Sequence, residues 1–149
     1  MKACKRVVSA AFLVLVAAPA AFAQQPSAGR VKVVTGSASI VRNGNTIPAR
    51  PGDEVFASDT LQTGADGSLG ITLKDDTRLS LGPSSEVRLE RYVYAPESGA
   101  LGMVLHFVRG MTAYISGRMA KMAPDSIRLE TPAAIVGVRG TTLAINVEQ

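Results

Sequence analysis

The chain has 149 residues, with 16 Lys and Arg against 12 Asp and Glu, one His, one Cys and no Trp. That length suits one domain with its own core, and the single Cys excludes a disulfide framework or a Cys-ligated metal within one chain. Three of the bases (Lys2, Lys5, Arg6) precede an apolar run from Val7 to Ala18, which small residues at Ala21 and Ala23 follow around Phe22.

That order of charge, short apolar run and small-x-small site is the pattern of a secretory signal peptide over residues 1–23, and the run is shorter than the roughly 20 residues that span a bilayer. Cleavage after Ala23 leaves one domain, 24–149, with 13 basic and 12 acidic side chains. The basic character of the whole chain therefore gives no reason to expect nucleic acid as a partner. Cys4 is removed with the signal, and Gln24 stands where a lipoprotein would have its Cys. The expectation is a periplasmic or secreted domain with no stable membrane span.

From Gln24 onward the apolar pattern alternates with a period of two between closely spaced turn formers, which predicts an all-β fold of short strands in a solenoid-like, sandwich or roll arrangement. "VKVV" (31–34) and "SASIVR" (37–42) read as strands, and Asn43-Gly44 as a tight hairpin turn. "PARPGDEVFASD" reads as a bend. Three apolar pairs follow at a spacing of eight: Ile71 and Leu73, Leu79 and Leu81, Val87 and Leu89. Units this short must stack on neighbours, as a meander or a small coil. After the exposed loop at 96–99 come "LGMVLHFVRG" and "MTAYIS" as two strands. "GRMAKMAPDS" is the one segment suited to a helical turn, and "IRLETP" and "TTLAINV" close the chain.

Taken together, "GSASIVRNG", "PGDEVFASDTLQTGADGSLGITLKDDTRLSLGPSSEVRL", "GMTAYIS" and "ETPAAIVGVRGTTLAI" resemble the FecR domain, the periplasmic module of ferric-citrate-type regulators, over about Gly36 to Ile145. The residues that carry the resemblance, expected to be mainly structural, are Gly52, Asp53, Thr63, Gly64, Thr131, Pro132, Gly137, Arg139, Gly140 and Thr141. Asp75-Asp76 stands where the family usually has Asp-Gly, a place where Asp tolerates a left-handed turn, and Leu143 where an aromatic is commoner. Full-length regulators of the family add a sigma-factor-binding segment, a transmembrane helix and a receptor-contacting domain. None of them is expected from this sequence, so the resemblance implies an isolated module that contacts a protein partner or an envelope polymer.

Individual residues bring little catalytic chemistry. Gly137 to Thr142 lacks the Lys of a phosphate-binding loop and leads into a strand-like segment; its glycines are expected to take backbone angles or close contacts closed to a Cβ, and Arg139 to pair locally or to face an anionic partner. Asp53, Asp59, Asp75 and Asp76 read as turn residues that accept backbone amides. His106, without Cys or a second His, assembles neither a zinc site nor a Ser-His-Asp triad without unusual ligands. Met119 and Met122 with Arg118 and Lys121 suit edge packing first and partner contact second. The expected protein is thus non-enzymatic and needs no cofactor. It binds a protein in the cell envelope through loops or the edge of its C-terminal strand; the alternative is recognition of peptidoglycan or another polysaccharide, with Tyr92, Tyr94 and Tyr114 as stacking platforms.

Overall fold

A computed structural model describes residues 24–138 and 142–148. Twelve strands run β1 (Gly29–Thr35), β2 (Ala38–Arg42), β3 (Asn45–Pro48), β4 (Glu54–Val55), β5 (Thr60–Thr63), β6 (Ser68–Leu73), β7 (Arg78–Leu81), β8 (Glu86–Ala95), β9 (Ala100–Ile115), β10 (Ile127–Glu130), β11 (Ile135–Gly137) and β12 (Thr142–Val147), with one short helix, α1 (Arg118–Met122). They form one curled, mainly antiparallel sheet, an all-β half-barrel.

β9 is the spine. Its first half lies between β8 and β10, the latter parallel to it, and its second half between β7 and β12. One arm therefore runs β4-β1-β6-β7-β9-β12 and the other β3-β2-β5-β8-β9-β10-β11. The sequence suggests two strands here, 101–110 and 111–116; they are one, bent at Gly110, whose φ is 80°. The bend also shifts the alternation, so that Met103, Leu105 and Phe107 point inward before it and Thr112 and Tyr114 after it. Both arms thereby contribute to a single core.

Ser85 fixes that corner. Its hydroxyl accepts the Met111 N–H at 3.1 Å and donates to the Met111 carbonyl at 3.0 Å, while Thr63 Oγ1 accepts the Ser85 N–H at 2.9 Å and donates to the Gly82 carbonyl at 2.7 Å. A Cβ on Gly110 would overlap Ser84 and Ser85, so this glycine is required both by its angle and by its neighbours.

The Asn43-Gly44 turn joins β2 and β3 with φ of 51° and 77°, the two left-handed residues of a type I′ hairpin. All six residues of the eight-spaced pairs are buried. Their strands do not form a continuous meander, however: β6 pairs with β7, but β8 crosses to the other arm between β5 and β9. A stretch of four residues cannot span both arms, so the chain changes arm in the Gly82–Ser85 turn. α1 lies where the sequence suggests a helical turn, and β11 is an additional short strand paired with β10.

Candidate protein-binding edge and its supporting turns

Four strands end the two arms, and three of them are poor templates for another chain. β3 has four residues and ends in Pro48, β4 has two, and β11 has three and ends in Gly137. β12 differs: six residues, TLAINV, without charge, Pro or Gly, and paired among the described residues with β9 alone, from Thr142 opposite Ile115 to Val147 opposite Gly110. Proteins usually shorten, charge or cover such an edge, because its unpaired N–H and C=O groups recruit strands. Here Leu143, Ile145 and Val147 pack against the core yet remain partly exposed, and Thr142, Ala144 and Asn146 face solvent. A strand added along β12 would find an open backbone ladder and an incompletely covered inner apolar row.

The neighbouring turns are tied to this arm by buried and part-buried hydrogen bonds. Asp75, in the β6–β7 turn, is fully buried; its carboxylate accepts Thr77 Oγ1 at 2.7 Å, the Tyr92 hydroxyl at 3.0 Å and, at longer range, the Thr77 and Met119 amides. Its carbonyl accepts the Arg118 N–H at 2.7 Å, which seats α1. Burial, and then the Asp75 charge, raise the Tyr92 phenol well above the ordinary tyrosine range; burial also raises Tyr114. Asp75 is thus more than a turn residue: it ties β7, β8 and α1 together. Asp76 carries the positive φ (68°) of the position where Gly is usual, and its carboxylate meets Arg118 at 2.7 Å on the surface.

Asp59 has a similar role on the other arm. It is 1 % exposed and accepts both Nε and Nη2 of Arg42, at 2.9 and 2.7 Å, plus the Phe56 N–H. The Arg42 guanidinium also stacks 4.5 Å from the Phe56 ring centroid, and its hydrogen bond to Asp59 raises its pKa further. A polar groove of about 620 Å³ runs beside this pair under the Gln24–Ser27 segment.

The residues singled out in the sequence separate clearly. Asp53 caps its own bend by accepting the Arg50 N–H, next to Gly52 at φ 93°. Gly64 leaves no room for a Cβ beside the Ser37 hydroxyl, and Thr131 closes the turn into β11 through Ala134 just after Pro132 is passed. Gly137 departs from the expectation as far as the described residues go: it has no left-handed angle and, among them, no neighbour within reach of a Cβ. Arg139, Gly140 and Thr141 lie outside the described residues, as do residues 1–23. Met119 is wholly inside the core, which removes it from the contact group, whereas Met122 is 52 % exposed and Lys121 lies at the surface with it. Tyr114 is likewise buried and cannot stack on a sugar, and the Tyr92 hydroxyl is committed to Asp75.

His106 has company that sequence distance conceals. Register places it on β9 beside Glu130 of β10, and Glu90, the extra residue of a bulge in β8, reaches the same outer surface. The donor atoms of the three all lie within 4.8 Å of one another.

The family model described as FecR protein matches residues 59–149, from β5 through β12. The chain belongs to the FecR family. The match takes in the Asp75 turn, the Ser85 corner and the β12 edge, and the resemblance read from Gly36 onward begins upstream of it. No curated protein and no solved structure matches the chain. Among the described residues no helix is long and apolar enough to cross a membrane.

Proposed function

We propose that this FecR-family protein is a non-enzymatic binding module of the periplasm, serving envelope signalling or assembly, and that it takes an extended segment of a partner protein along β12. The observation that carries the reading is the contrast among the four ends of the sheet: three are short or interrupted, and β12 is six residues long, uncharged and incompletely covered. Backbone pairing would supply affinity, and alternate apolar side chains of the incoming strand would extend the row of Leu143, Ile145 and Val147 and supply selectivity.

The test combines two arms. The mature protein is used to capture proteins from envelope extract and, separately, is sedimented with purified peptidoglycan. An Ala144→Lys variant accompanies both, since a lysine at an exposed edge position blunts strand addition without removing a β9 hydrogen bond. The expected result is a protein retained by the parent and lost from the variant, with no co-sedimentation. Binding to the polymer alone, or capture indifferent to Ala144→Lys, refutes the reading.

A further inference from the structure

We propose that Glu90, His106 and Glu130 form a site for a divalent transition-metal ion on the outer face of the β8-β9-β10 arm. Three adjacent strands each contribute one ligand, so the spacing is set by sheet pairing and not by a loop. His106 and Glu130 are direct partners in the parallel β9–β10 ladder, and His106 Nδ1 lies 3.6 Å from Glu130 Oε2. A tetrahedral ion with bonds of about 2.0–2.2 Å needs donors roughly 3.3–3.5 Å apart, so this pair is already at bridging distance.

Glu90 arrives by a different device. The register of β8 against β9 slips between Leu89 and Arg91, which leaves Glu90 as the unpaired residue of a bulge. Bulges re-aim side chains, and here Glu90 and Arg91 are consecutive exposed residues in a strand that otherwise alternates at this point. Its exposed carboxylate already has an oxygen within 4.8 Å of the donor atoms of the other two.

The donor set selects the ion. An imidazole nitrogen with two carboxylates suits zinc and its neighbours; calcium and magnesium prefer an all-oxygen shell. Three protein ligands leave one position for water or for a group of a bound molecule. Two cations compete with the ion: Arg128 Nη1 stands 3.8 Å from Glu130 Oε1, and Arg88 is the β8 partner of His106. In the metal-free protein Arg128 pairs with Glu130, and charge balance of this kind is the competing explanation for the cluster.

The test is isothermal titration of the chelator-treated protein with Zn²⁺, with Mg²⁺ and Ca²⁺ as controls, on the parent and on His106→Ala, Glu90→Gln, Glu130→Gln and Arg128→Ala. The expected outcome is one saturable Zn²⁺ site of micromolar affinity, no Mg²⁺ or Ca²⁺ site, and a loss of about tenfold or more for each ligand substitution. Arg128→Ala is expected to tighten binding by freeing Glu130. Glu90 and Arg128 are exposed and His106 and Glu130 are partly buried, and metal-free melting curves that match the parent exclude misfolding. Absence of saturable Zn²⁺ binding, equal binding of Ca²⁺, or an isotherm unchanged by any one of the three ligand substitutions overturns the proposal.

Discussion

Replacing Asp75 by alanine is the most demanding test of how the fold is held. The carboxylate satisfies two hydroxyls, those of Thr77 and Tyr92, and lies within longer reach of two amides, in a site with no solvent exposure. A buried donor left without an acceptor costs about 1–3 kcal/mol. Tyr92 is only part-buried, so water can rescue its share of the loss, whereas Thr77 is fully buried and the Gly117 N–H that its Oγ1 accepts does not replace the acceptor for its hydroxyl proton. The expected destabilisation is therefore about 3–5 kcal/mol, a large share of the roughly 5–15 kcal/mol that holds a typical domain together. Asp75→Asn keeps the size and one acceptor and should cost about half as much. The assay is urea unfolding followed by far-ultraviolet circular dichroism, completed by a double-mutant cycle with Tyr92→Phe. A coupling energy of about 1–2 kcal/mol is expected for this pair. An Asp75→Ala variant as stable as the parent, or a cycle with no coupling, would refute the assignment of Asp75 as the tie between β7, β8 and α1.

Three further predictions concern other sites. Tyr92 and Tyr114 are raised in the folded state, so the stability they contribute is complete below the unfolded tyrosine pKa of about 10 and is lost as pH rises beyond it; ultraviolet titration should show these two ionising only together with alkaline unfolding, and their ionisation near pH 10 in a still-folded protein would contradict it. Gly137→Ala should change stability by less than about 0.5 kcal/mol, whereas Gly110→Ala should fail to fold or melt far lower, because its Cβ would meet Ser84 and Ser85 at a positive φ. Arg42→Met keeps the contact with Phe56 but leaves Asp59 buried without its cation; with Arg42 itself 31 % exposed, the loss should be about 2 kcal/mol, recovered in part by also changing Asp59 to Asn.

What the sequence reveals is what neighbouring residues decide. Asn43-Gly44 encodes its own left-handed turn, and the six apolar residues at spacing eight announce an inward face, because both signals are local. The partners of those strands are not local: whether β8 pairs with β7 or crosses to β5 depends on Gly82–Ser85 and on β9, which arrives later in the chain. The alternation of β9 looks like two strands because its inward face changes parity at Gly110, and only the pairing of both halves reveals one spine. Asp75 reads only as a turn residue that accepts backbone amides, since nothing nearby in sequence indicates that Tyr92 and α1 close over it. Glu90, His106 and Glu130 are separated for the same reason; a bulge and a parallel register bring them together. Family resemblance is more informative than composition about the whole, whereas at Gly137 the described residues show neither the left-handed angle nor the close contact expected of a motif glycine.

The direct test of the proposed function is residue-resolved amide hydrogen exchange over β12 in the isolated, mature protein. A free edge predicts an alternating pattern from Thr142 to Val147: amides bonded to β9 exchange slowly, and those directed away from it exchange near the unprotected rate until a partner strand is added. Uniformly strong protection of all six amides in the isolated monomer would mean that the edge is already covered, and would contradict strand addition at β12.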